Sequence, residues 1–202
     1  QEVARMLALA ALEDLPRAMG LSEEDVQILE RLAFLGSHMP ELQLPELPIA
    51  AGSDADEEAL ELVSLWCWGR RGFAELRRLE FAKLMREQLS WAAWSAMEEH
   101  APERLQVPSG SRIKVRYSGE QPPVVAVRIQ EVFGWTATPR LAHGRVPVMM
   151  HLLAPNYRPA QVTRDLESFW KNTYPQVRKE LRARYPKHPW PEDPWSAQAI
   201  RK

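Results

Sequence analysis

The chain has 202 residues, 45% of them hydrophobic, enough to bury a core of one large or two small domains and too many for global disorder. Its net charge of −1 hides an uneven balance. Residues 1–101 carry 9 Lys and Arg against 19 Asp and Glu, a net of −10, whereas residues 102–202 carry 17 against 8, a net of +9. The basic half can meet a polyanion, and the acidic half can repel one or dock a basic neighbour. The single cysteine, Cys67, excludes an intrachain disulfide and a multi-cysteine zinc site, which fits a reducing, cytoplasmic setting. No apolar run approaches the roughly 20 residues of a membrane span, and the N-terminus lacks the basic-then-apolar order of a signal peptide. No membrane partner is expected. The opening Gln1-Glu2-Val3, already helical in pattern and without Met, reads as a fragment of something longer.

In chain order, the apolar residues Val3, Met6, Leu7, Leu9, Ala10 and Leu12 predict a helix from Glu2 to about Leu15 that Pro16 should end. Ser22-Glu23-Glu24-Asp25 reads as an N-cap and acidic first turn ahead of the stripe Val26, Leu29, Leu32 and Ala33. Pro40, Pro45, Pro48 and the acidic run to Asp56 read as a loop or linker. Helical pattern returns from Glu57 to Trp68, breaks at Gly69 to Gly72, and runs again through Phe81, Leu84, Met85, Leu89 and Trp91 towards His100. Near residue 105 the period changes to two: Ile113, Val115 and Tyr117 alternate with Arg112, Lys114 and Arg116, a half-buried strand with a basic outer face. Val124 to Ile129 and Val146 to Leu153 read as further strands, with a turn at Asn156-Tyr157-Arg158-Pro159 before Ala160 to Thr163. Arg164 to Lys171 reads as a helix; Thr173 can cap a second, with Pro175 in its first turn and Val177 and Leu181 opposite Arg178, Lys179 and Arg182. The expected fold is α+β: a helical N-terminal half beside a small antiparallel sheet, closed by a basic C-terminal helix and a proline-rich tail. Three segments are expected: 1–56, helical with its linker; 57–104, a helical subdomain; and 105–202, an α+β domain.

Enzyme signatures are absent from this pattern. Neither a Gly-x-x-x-x-Gly-Lys-Ser/Thr loop nor a Gly-x-Gly-x-x-Gly turn occurs, so the sequence offers no phosphate cradle of either kind. His38, His100, His143, His151 and His188 are scattered and lack the spacing that lets two imidazoles share a zinc ion. Ser168-Phe169-Trp170-Lys171 matches a Ser-x-x-Lys pattern without its companion motifs, in an amphipathic helix, and reads as chance. Glu98-Glu99 and Glu192-Asp193 read as solvated helix ends and turns. No catalytic residue and no metal ligand is assigned, and a nucleotide cofactor is not expected of this stretch.

The candidate binding residues are Arg112, Lys114 and Arg116 on the strand, Arg178, Lys179, Arg182, Arg184 and Lys187 in and after the last helix, and Trp190 in the tail. Cations so placed can neutralise phosphates without reading sequence, and an exposed indole can stack on an unpaired base. The plainer alternative is a solvated basic surface balanced by Glu180 and the acidic half. Trp170 and Tyr174 are expected in the core and Trp190 and Trp195 at the surface. Trp66, Trp68, Trp91 and Trp94, at helical spacing, are core or a docking face; an apolar patch around Trp66, Trp68 and Trp94 would favour a protein partner.

A resemblance adds to this reading. Val107-Pro108-Ser109-Gly110-Ser111-Arg112-Ile113-Lys114-Val115-Arg116-Tyr117, Pro122 to Gly134, Gly144-Arg145-Val146-Pro147-Val148, Arg158 to Leu166, and Arg184-Tyr185-Pro186-Lys187-His188-Pro189-Trp190-Pro191-Glu192-Asp193-Pro194 resemble, in order, the C-terminal region of the HrpB family of bacterial DEAH-box ATP-dependent helicases. The likeness covers roughly residues 104 to 195, more loosely 60 to 97, and only faintly 1 to 56. It implies a parent protein in which two RecA-like domains use ATP and Mg to move along RNA, followed by winged-helix, helical and OB-like modules. The resemblance leaves this region's own task open; the expected role is accessory, by contact with single-stranded, sequence-tolerant RNA or docking on the helicase's own motor domains. The alternative is a module linking the helicase to another protein. No motor motif occurs, so no catalytic residue carries over, and the stretch alone is expected to be inactive.

Overall fold

The computed structural model describes residues 2–45, 47, 57–119 and 121–201, which form two compact units. The sequence-predicted linker at 48–56 lies outside the described residues.

The first unit, residues 1–101 with 117–120, is helical. Helix α1 (Glu2–Leu12) is followed by α2 (Leu15–Met19), in which Pro16 occupies the first turn and the Asp14 carboxylate accepts from the Arg17 N–H at 3.1 Å. Pro16 therefore opens a helix, where it was expected only to end one, because a missing N–H costs nothing in a first turn. Helix α3 (Glu23–His38) begins with a reciprocal capping box between Ser22 and Asp25. Helices α4 (Glu57–Cys67), α5 (Phe73–Leu76), α6 (Phe81–Gln88) and α7 (Trp91–His100) complete the unit, and α4 packs along α1. The guanidinium of Arg31, a residue only 5% exposed, ties α3 to the end of α7: it donates to the carbonyls of Ala101 (2.6 Å) and Met97 (3.3 Å) and pairs with Glu98 (2.8 Å). A buried cation is held where helix-end carbonyls and a carboxylate replace its water.

The second unit, residues 102–116 and 121–202, is built on a five-stranded sheet in the order β1-β2-β3-β6-β7. The strands are β1 (Arg104–Gln106), β2 (Arg112–Ser118), β3 (Gln121–Arg128), β6 (Met149–Leu153) and β7 (Pro159–Thr163); β4 (Arg140–Leu141) and β5 (Val146–Pro147) form a separate hairpin. The α+β class stands, with one departure from an all-antiparallel sheet. β3 and β6 run parallel, whereas β1–β2 and β6–β7 are antiparallel. Residues 129–148 supply the long crossover that a parallel return needs. β1 and β4 were not foreseen.

The last helices also differ from expectation. In place of two helices with Thr173 as cap, α8 (Leu166–Ser168) runs through a π-type turn, Phe169–Thr173, into α9 (Tyr174–Arg184), and Thr173 makes no side-chain cap. The wider turn brings Phe169, Trp170 and Tyr174 into one cluster with ring centroids 4.8–6.1 Å apart, and Phe133 packs on Trp170 and Tyr174. Trp170 and Tyr174 are buried, as the sequence indicated.

Candidate nucleic-acid interface

β2 shows the predicted alternation. Val115 and Tyr117 are buried, Arg112 and Arg116 are exposed, and Lys114 is half-buried. The register adds a cation that sequence reading missed: Arg104 stands directly opposite Lys114, and Gln106 opposite Arg112. Arg104 donates to the Arg112 carbonyl at 3.3 Å and lies 3.7 Å from the Glu103 carboxylate. Arg112, Lys114 and Arg116 have no ion pair among the described residues. Like charges directly opposite one another destabilise an antiparallel pair, and a bound anion would offset that cost.

The loop that delivers β2 is braced from below. Gly110 adopts a left-handed φ of 82°, and its N–H donates to the Val107 carbonyl at 2.8 Å. Ser109 donates through Oγ to Glu131 Oε2 at 3.1 Å, and Arg128 donates through Nε to Glu131 Oε1 at 2.9 Å. The almost fully buried Glu131 carboxylate is thereby paired and fixes the β1–β2 loop against the end of β3.

On α9, Lys179, Arg182 and Arg184 are exposed, as is Lys187 beyond it, and none has an ion pair among the described residues. Arg178 is different. It donates to the Trp190 carbonyl at 2.8 Å and pairs with Glu192 at 2.9 Å. Trp190 is 7% exposed, and its Nε1 donates to the Tyr185 carbonyl at 2.9 Å. The expectation of an exposed, stacking Trp190 is thus corrected. The proline-rich tail folds back, its carbonyls accept from Arg178, from Tyr174 Oη (at Pro191, 3.0 Å) and from the Gly134 N–H (at Pro194, 2.8 Å), and the indole is enclosed. Trp195 is half-buried.

The tryptophans Trp66, Trp68 and Trp94 of the first unit lie in three different environments. Trp66 is buried edge-on to Phe81 with centroids 6.0 Å apart, Trp94 lies beneath Arg86 at 5.3 Å, and Trp68 is exposed. Cys67 is buried, and burial pushes its thiol up from the ordinary value, so it is a poor nucleophile. Among the described residues no group of three or more His, Cys, Asp or Glu could hold a metal ion, and no described helix is long and apolar enough to cross a membrane.

The second unit thus carries a cation-lined strand and a tail clamped onto its last helix, and comparison with known proteins supplies the class. A family model described as ATP-dependent helicase C-terminal matches residues 63–194, and the chain belongs to this family. It is 37% identical over 183 residues to the ATP-dependent RNA helicase HrpB of Escherichia coli, covering 89% of this chain and 22% of that protein. Two solved structures from the same organism are similar at 36% identity. The DExH-box NTPase HrpB superposes with a TM-score of 0.78 over 90% of this chain and 22% of its own, and the DEAH/RHA helicase HrpB with 0.65 over 84% and 21%. The chain thus spans about a fifth of the length of these relatives.

Proposed function

We propose that the chain serves as the accessory C-terminal region of an HrpB-type RNA helicase and contacts single-stranded RNA through phosphates, without reading base sequence. The carrying observation is the row Arg112, Lys114 and Arg116, unpaired by any described carboxylate and joined across the strand pair by Arg104. Lys179, Arg182, Arg184 and Lys187 supply a second cationic element in the same unit. Arg178 and Trp190 serve the fold in this proposal. ATP and Mg would be handled by the remaining four-fifths of such a helicase, since the sequence here contains no phosphate-cradling loop.

A second reading, docking on the helicase motor or on another protein, draws on a different observation. Val3 and Met6 of α1, Leu65 of α4 and Trp68 in the turn that follows it are all more than 60% exposed, and α1 and α4 pack on one another. Cross-linking to a thiouridine-substituted oligoribonucleotide with peptide mapping separates the two. RNA adducts on 104–116 and 179–187 support the first reading; adducts confined to the first unit, or none, overturn it.

A further inference from the structure

The turn between β6 and β7 holds an aromatic ring in a position that packing alone does not explain. Tyr157 has a φ of 65°, the left-handed region that a bulky side chain rarely enters and that strains its backbone. It is also 66% exposed, so no core burial offsets the strain. The turn is nevertheless tightly closed. The Tyr157 N–H donates to the Ala154 carbonyl at 2.9 Å, the Ala154 N–H to the Arg158 carbonyl at 2.9 Å, and the Arg158 N–H to Asn156 Oδ1 at 3.2 Å.

The ring itself is positioned. The Arg128 guanidinium lies 5.1 Å from its centroid, and Arg128 is fixed in turn by Glu131 and by the Arg201 carbonyl. Strand register gives the surroundings. Ala126, His151 and Val162 are paired in one row across β3, β6 and β7, and Arg128 lies two residues along from Ala126, on the same side of the sheet. Val162 in that row is exposed. Arg158, next to Tyr157, is exposed and has no ion pair among the described residues.

We propose that Tyr157 is a stacking platform for an unpaired nucleobase, with Arg128 polarising one face of the ring and Arg158 meeting the adjoining phosphate. An aromatic face beside a free cation is the recurring element of sequence-tolerant single-strand binding, and a ring already immobilised loses little entropy when a base stacks on it. The inference rests on the RNA reading above and supplies the stacking group that the buried Trp190 cannot.

The test is fluorescence anisotropy of labelled oligouridylate with the whole 202-residue chain, comparing wild type with Tyr157→Gly, Tyr157→Asn and Tyr157→Phe. Gly and Asn both suit the left-handed backbone, so the fold is kept and the thermal midpoint should hold or rise. The expected result is a loss of affinity of about fivefold or more for Gly and Asn at an unchanged salt slope, with Phe within about twofold of wild type. If wild type binds and the Gly and Asn variants bind equally well, the stacking platform is wrong while the basic interface survives. If wild type shows no binding at low salt, the RNA reading fails and the platform with it.

Discussion

Arg178 and Trp190 are joined through a 2.8 Å hydrogen bond from the arginine Nε to the tryptophan carbonyl, which makes the tail a structural extension of α9. Both residues look in sequence like ligands for RNA. In the fold one is a clamp and the other its enclosed load.

Arg178→Ala should therefore lower stability by about 1–2 kcal/mol, the cost of leaving the Trp190 carbonyl without its charged donor, and leave the salt dependence of RNA binding unchanged. Urea unfolding together with a salt titration checks this. A flattened salt slope with normal stability would return Arg178 to the interface.

Arg31 carries a similar expectation in the first unit. Arg31→Ala removes donors to Ala101 and Met97 and leaves the end of α7 unmatched, for a loss of about 3 kcal/mol by urea unfolding. Glu98→Gln, at a half-exposed carboxylate, should cost under about 1 kcal/mol. Equal effects of the two substitutions would show that the ion pair, and not the carbonyl contacts, holds α3 to α7.

Alkaline pH should destabilise the fold through three buried acids. Burial raises the Tyr117 and Tyr174 phenols above their ordinary 10.0 and the Cys67 thiol above its ordinary 9.0. Nearby arginines oppose the shift less strongly in each case. The folded chain keeps protons that the unfolded chain releases near pH 9 to 10, so the associated stability is complete below that range. It is lost as pH climbs towards the folded values. The urea midpoint should fall between neutral pH and pH ~10.5, and Tyr174→Phe should shallow that fall. A midpoint constant over this range would contradict the burial of these groups.

Helix α3, β2 and the family were legible in sequence because each rests on a local signal: the capping box at Ser22 and Asp25, the period-two run from Arg112 to Tyr117, and the ordered motifs from Val107 to Pro194. Three-residue β1 and two-residue β4 were not, since such short strands carry no period and exist only through their partners. Trp190 was misjudged for a related reason. Flanking prolines suggest a solvated tail, but the donors that meet the carbonyls of Trp190, Pro191 and Pro194 come from Arg178, Tyr174 and Gly134, distant in sequence. Arg104 joined the basic row only through register with Lys114, and the left-handed backbone of Tyr157 gave no sign beyond a turn at Asn156.

The central claim, that the chain holds RNA through the phosphate-facing cations of β2, is tested most directly by oligouridylate affinity as a function of salt. With about four to six phosphates engaged, log K should fall with log salt at a slope of roughly −3 to −4. Replacing Arg112, Lys114 and Arg116 together with Gln should flatten that slope by about two units and weaken binding at low salt, with the thermal midpoint held or raised by relief of the Arg104–Lys114 repulsion. A triple variant that binds with unchanged affinity and slope would contradict the account.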